Sequence, residues 1–207
     1  MTPLNWMISN NRWTEIQPTF DRRHELKFSA ARVGISELET LLSTSLTRAF
    51  PNRQVHSVYF DTPGLALLHE SEEGLNPRTK YRVRWYDGLA QQLTIEIKRS
   101  ESLSRLKSSH QLPLGTDLPT CLHTRRGMLV PTALVSYERQ YFSCDTGRVT
   151  IDTNISTTAL PNGRVRHHHL SVAEFKAPFS KVDINADYSR VFSTDRFSKY
   201  SLALRQE

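Results

Sequence analysis

The chain has 207 residues, of which 38% are hydrophobic and 23% charged. That suits one large domain or two small ones with a real core, and it excludes a disordered or collagen-like chain. With 27 Lys and Arg against 21 Asp and Glu, the net charge is +6 and the pI about 9.5, which favours an anionic partner without choosing among nucleic acid, anionic lipid and phosphate compounds.

Residues 1–19 read as a polar lead-in with no continuous apolar stretch of a signal peptide, and residues 20–207 as a single domain. Arg22–Phe28 alternates charged and apolar positions, the period of a strand. From Ser29 to about Arg48, Val33, Leu38, Leu41, Leu42 and Leu46 form a helical stripe, with Ser29 or Ser36 as its cap. Val55–Asp61 predicts a strand, Thr62-Pro63-Gly64 a break, and Leu65–Glu70 a helical turn. Lys80–Tyr86 and Leu93–Lys98 are the next strands, and residues 99–130 read as strand or loop with a short helix. Leu134–Phe142, Arg148–Asp152 and Ser171–Lys176 complete the strands, and Arg196–Leu204 starts a short helix. No membrane-spanning run exists. The two cysteines, Cys121 and Cys144, match neither a zinc spacing nor a disulfide framework, so a reducing, cytoplasmic setting is expected.

Side by side, the strands sort their side chains. One face carries Arg23, Glu25, Lys27, Arg82, Arg84, Glu96, Lys98, Arg139, Arg148, Asp152, Glu174 and Lys176. The other carries Leu26, Phe28, Val83, Trp85, Ile95, Ile97, Val149, Ile151 and Phe175. A solvated sheet face explains any single strand. Across six strands the alternative is a closed barrel with the charged face inward and helices covering the apolar face. Burying those charges requires pairing, hydration or a ligand. With Lys107 and Lys199 added and Arg23 left out, nine candidate cations face four candidate carboxylates, an excess of five that suits a triphosphate or a longer phosphate chain.

The segments RHELKF, VHSVYFDTP, KYRVRWY, IEIK, YERQYF, RVTIDTN, AEFK and RFSKYSLAL follow one another over residues 20–204. In that order they resemble the VTC domain, the vacuolar transporter chaperone branch of the triphosphate tunnel metalloenzyme (CYTH-like) superfamily. The resemblance implies an α+β fold, a closed antiparallel β-barrel tunnel of about eight strands with helices packed outside. It implies an ATP-dependent polyphosphate polymerase using Mn²⁺ or Mg²⁺, with ATP or another triphosphate and inorganic polyphosphate as ligands. It also implies roles. Lys27, Arg82, Arg84, Lys98, Arg139 and Lys199 would act on the transferring phosphates. Arg148, Lys107, Lys176, Ser198, Glu25 and Glu96 would bind substrate, and Glu174 would hold the metal.

Two departures bear on this. Where the wider superfamily often begins E-x-E-x-K, this chain has Arg23-x-Glu25-x-Lys27, one metal-binding carboxylate fewer. No SPX-like regulatory region or membrane span is expected from these 207 residues, which leaves a membrane-protein partner open. The chain has no Ser/His/Asp or Cys/His arrangement, P-loop or Gly-rich dinucleotide fingerprint. Phosphoryl transfer needs none of them, because it relies on positioning and positive charge. A metal-dependent triphosphate hydrolase and a non-catalytic polyanion binder compete with the polymerase. No nucleic acid is expected, because the basic residues alternate with core positions instead of forming an outer stripe.

Other residues read as structural. His24 and His56 lie within strands, and His167-His168-His169 lies in an exposed loop. Trp85 falls on the apolar face, while Tyr86 is placed to reach a tunnel mouth. Asp61 and Thr62 shape the turn at Pro63. Asp152 orients arginines.

Overall fold

The computed structural model describes residues 23–30, 34–42, 44–88, 92–101, 104–145, 147–178 and 197–205. The lead-in 1–19 lies outside them. His24, Glu25 and Lys27 are described by backbone register only, and Val33 and the side chain of Leu41 fall outside.

The strands are β1 (Arg23–Ala30), β2 (Thr47–Asp61), β3 (Arg78–Tyr86), β4 (Thr94–Glu101), β5 (Ser104–Gln111), β6 (Leu122–Thr124), β7 (Gly127–Cys144), β8 (Gly147–Ala159), β9 (Arg166–His168) and β10 (Ser171–Pro178). The helices are α1 (Ile35–Leu42), α2 (Ala66–Glu72) and α3 (Lys199–Leu204). The strands form one antiparallel sheet in the order β1-β10-β8-β7-β2-β3-β4-β5, with β6 attached to β7 and β9 to β8. Alternation located most strands and undershot their lengths. It ended the strand before Phe142 at Leu134, whereas β7 runs back to Gly127 across Pro131. β2 starts at Thr47, eight residues ahead of Val55, because its exposed first half carries no apolar alternation to reveal it. Residues 99–130 hold β5 and β6 and no described helix. His167 and His168 belong to β9, not to a loop, and His168 bonds the hydroxyl of Thr157 at 2.7 Å.

Two expectations are corrected. Among the described residues the sheet is open: no pairing joins the edge strands β1 and β5 into a barrel. Alternation within a strand assigns side chains to faces and is the same in an open curled sheet. Closure depends on strand tilt and shear, which are properties of the whole sheet. The helices, too, are not simply outside. The apolar face packs Val58, Phe60, Val83 and Ile95 against Leu112, Leu122 and Leu129, so the segment after β5, β6 and the start of β7 cover it, with Leu67 of α2. A second cluster lies on the charged side at one end. There Val55, Tyr59, Val135, Tyr137 and Val172 pack against Tyr200 and Ala203 of α3. Each buried Val, Leu, Ile or Phe among them, removed from water, contributes about 1.5–3 kcal/mol.

Asp61, at the end of β2, is fully buried and ties these parts together. Its Oδ1 accepts from the backbone N–H of Leu67 at 2.9 Å and its Oδ2 from that of Leu68 at 2.9 Å, capping the first turn of α2. Oδ2 also accepts from the hydroxyl of Tyr200 at 2.8 Å. The sheet curls around α3. Lys80 of β3 reaches Ser198 at 3.0 Å, while the adjacent Lys199 reaches Asp152 of β8 at 2.6 Å.

Candidate functional site

Paired residues in an antiparallel ladder share a face, so register builds the charged surface. Arg82 of β3 stands opposite Tyr59 of β2 and Glu96 of β4, and Arg84 opposite Ser57 and Thr94. Lys98 stands opposite Lys80 and Lys107. On the other side, Arg139 of β7 faces Asp152 of β8, and Arg148 faces Lys176 of β10. Lys27 faces Glu174, and Glu25 faces Lys176. By register these charged positions share one side of the sheet, from β5 across to β10.

The first cluster centres on Glu96. Arg82 Nε donates to its Oε2 at 2.7 Å, Arg84 Nη1 approaches the same oxygen at 3.5 Å, and Lys107 Nζ lies 2.5 Å from Oε1. Burial pushes the Glu96 carboxyl up, and Arg82, Arg84 and Lys107 outweigh it, bringing it down to about 2. Arg82 also donates to the Tyr59 hydroxyl at 3.3 Å. Arg84, with 7% of its side chain exposed, donates to Ser57 at 3.1 Å and to the Tyr137 hydroxyl at 3.2 Å. Burial raises the Tyr59 phenol, yet Arg82, Arg84 and Lys80 bring it down to about 8. These bonds fix both guanidinium planes before any ligand arrives, which lowers the ordering cost of gripping an anion.

The second cluster centres on Asp152, whose side chain is 2% exposed. Arg139 grips it with both arms, Nε to Oδ1 at 2.6 Å and Nη2 to Oδ2 at 2.8 Å. Lys199 Nζ takes Oδ2 at 2.6 Å and lies 4.8 Å from the centre of the Tyr137 ring. Burial opposes ionisation of Asp152, but Lys199 and Arg139 hold its pKa below the ordinary range. Asp152 thus orients cations. Ser198 caps α3, accepting from the backbone N–H of Ser201 at 3.4 Å and from Lys80. Glu174 pairs with Lys176 at 2.7 Å. Arg148 is exposed near the end of the face remote from α3.

The sequence profile of the VTC domain matches residues 5–114 and 99–206. The chain belongs to the VTC domain family. No curated protein matches it. This VTC domain is similar to PH1819 from Pyrococcus horikoshii OT3, at 12% identity and TM-score 0.43, over 87% of this chain and 98% of that one. It is also similar to a candidate adenylate cyclase from Vibrio parahaemolyticus, at 14% identity and TM-score 0.43, over 84% and 82% of the two chains. A third likeness is to HpAC1 from Hippeastrum, a candidate adenylyl cyclase with a dominant triphosphatase activity, at 11% identity and TM-score 0.41, over 86% and 93%.

Among the described residues no three His, Cys, Asp or Glu side chains cluster as a metal cage. Glu96, Asp152 and Glu174 are each paired with cations, Glu174 with Lys176. One carboxylate is a fitting donor set for Mg²⁺ or Mn²⁺ delivered on phosphates, since such ions use one or two carboxylates and take the rest from substrate and water.

Four members of the face escaped the sequence reading: Ser57, Tyr59, Lys80 and Tyr137. Lys80 shares the parity of Arg82 and Arg84, and Tyr137 that of Arg139, so alternation alone pointed to both. Tyr59 reads equally well as core, and only register puts its hydroxyl on Arg82. No helix of the described residues is long and apolar enough to cross a membrane.

Proposed function

We propose that this VTC domain is an ATP-dependent polyphosphate polymerase. One observation carries the reading: Arg82, Arg84, Arg139 and Lys199 converge on one face, oriented through ion pairs with Glu96 and Asp152. Arginine's planar fork binds phosphate oxygens in a bidentate manner and keeps its charge. In the proposed step a terminal oxygen of the acceptor chain attacks the γ-phosphorus of ATP. The new P–O bond forms as the bond to the leaving ADP oxygen breaks. Arg82 and Arg84 bear the charge on the transferring group, while Arg139 and Lys199 hold the phosphates beside it. Lys27, Lys98, Lys107, Arg148 and Lys176 extend the positive field for a longer chain. Glu174 would hold a divalent ion, which when bound neutralises phosphate charge. Glu25 and Glu96 balance the cations between turnovers.

Hydrolysis of a triphosphate is the second reading, favoured by Glu96 and Glu174 on the same face. One incubation separates the two. Purified protein with ATP and Mn²⁺ is expected to yield long-chain polyphosphate and matching ADP, and Arg82→Ala to abolish both. Free phosphate without polymer would make the protein a hydrolase. Turnover undiminished in Arg82→Ala would remove this face from the chemistry.

A further inference from the structure

The face continues past the clusters, away from α3, into a region of different chemistry. On β3 the inward positions run Lys80, Arg82, Arg84, Tyr86, each step about 7 Å along the strand. Lys80 touches Ser198 at the α3 end, so Tyr86 stands at the opposite, open end. On β7 the same face runs Tyr137, Arg139, Tyr141. On β2, Arg53 lies directly opposite Arg139. Two like charges facing each other across a ladder are unfavourable without an anion between or beside them. Arg139 has Asp152, whereas Arg53 forms no ion pair among the described residues; its guanidinium lies 5.7 Å from the Tyr86 ring centre. Tyr141 meets Phe50 edge to face at 6.0 Å. Tyr86 is 42% exposed and Phe50 59%, so aromatic surface is left open to solvent where the phosphate-binding cations end. Burial raises the Tyr141 phenol against the opposing pull of the Arg139 and Arg53 guanidinium groups, which share its electrostatic neighbourhood.

We infer that Tyr86, Tyr141 and Arg53 form a subsite for the base of a nucleoside triphosphate whose phosphates lie on Arg84 and Arg82. An inorganic chain would use only the arginine, because it has no ring to place on the tyrosines. A base stacks on aromatic faces and beneath a guanidinium with little regard to its identity. The inference rests on the proposed function and adds to it where the donor's base is held: outside the charged face, with the γ-phosphate toward α3.

The test compares binding of ATP, ribose 5-triphosphate and inorganic tripolyphosphate to the full chain by titration calorimetry with Mn²⁺. The wild type is expected to bind ATP about tenfold more tightly than ribose 5-triphosphate. Tyr86→Ala should erase that preference and leave tripolyphosphate affinity within about twofold, while Tyr86→Phe, which keeps the ring, should preserve it. Equal wild-type affinity for ATP and ribose 5-triphosphate would overturn the subsite, and this readout needs no variant to fold. An equal loss for ATP and tripolyphosphate in Tyr86→Ala would also overturn it. Tripolyphosphate binding without a preference for the base would sink the subsite alone. Binding of none of the three would sink the proposed function together with it.

Discussion

Burial raises the cost of ionising Glu96, and its three cationic neighbours outweigh that cost, so its carboxyl titrates at about 2 in place of 4.5. The folded pKa is depressed. Its stabilising contribution is therefore present above pH about 4.5 and is lost as pH falls through about 2. Urea titrations across that window should show the wild type losing stability faster than Glu96→Gln, with the two curves meeting at the acid end. Parallel curves would mean that the ion cluster contributes nothing. Tyr59 titrates the other way round from a buried phenol in apolar surroundings: Arg82, Arg84 and Lys80 bring it to about 8 from 10.0. Between those values the unfolded chain holds more protons at this position, so stability from Tyr59 rises with pH there. Ultraviolet absorbance should detect one tyrosine ionising near pH 8 that is absent in Tyr59→Phe, and bound tripolyphosphate should move it upward by countering the arginines. Glu96 was legible in the chain because it alternates with Ile95 and Ile97. Tyr59 was not, because a phenol among apolar residues has the same pattern whether its hydroxyl meets a guanidinium or nothing.

At the scale of elements, α3 is held less by its own six residues than by what they reach. A helix this short is not stable alone. Tyr200 stacks on Tyr59 at 4.8 Å and donates to Asp61, while its hydroxyl also lies 2.9 Å from that of Thr132. Tyr200→Phe leaves the Asp61 carboxylate one donor short in a buried site. It should cost about 1–3 kcal/mol by chemical denaturation. A change within a few tenths would show that the bond is dispensable. The turn between β8 and β9 gives a sharper constraint. A Cβ on Gly163 would lie 2.1 Å from the carbonyl oxygen of Ala159, the same oxygen that accepts the Gly163 N–H at 2.7 Å. Gly163→Ala should therefore destabilise by about 1–3 kcal/mol, against near-neutrality at Gly64, whose Cβ would meet open space. Thermal melts of the two variants compare them directly. Pro161-Asn162-Gly163 is turn chemistry that the sequence carries locally. The extended first half of β2 carried no such signal, because its exposed residues are set by pairing with β7 and not by burial.

For the molecule as a whole, cations outnumber carboxylates on one face of the curled sheet, and their mutual repulsion opposes the folded state. A polyanion that binds only the folded chain relieves it. At a concentration a hundred times its Kd, tripolyphosphate should stabilise by about 2.7 kcal/mol, raising Tm by about 5–10 °C. Sulfate at equal ionic strength should do much less, and the double variant Arg82→Ala, Arg139→Ala should abolish the shift. An equal response to sulfate would reduce the effect to general screening. At this scale the sequence by itself determined where most strands lie, which of their faces is charged, and the family to which the segment order belongs. Side-chain alternation is local, with a period of two, so those features survive without any knowledge of neighbours. Tertiary structure alone decided that the described sheet is open, that β6 and the segment leading to it cover its apolar face with α2, and that α3 sits on the charged side. It alone decided which carboxylate orients which cation. Those outcomes depend on register and curvature between strands far apart in the chain, and no local pattern encodes the pairing of Arg139 with Asp152 or the reach of Lys199 across to it.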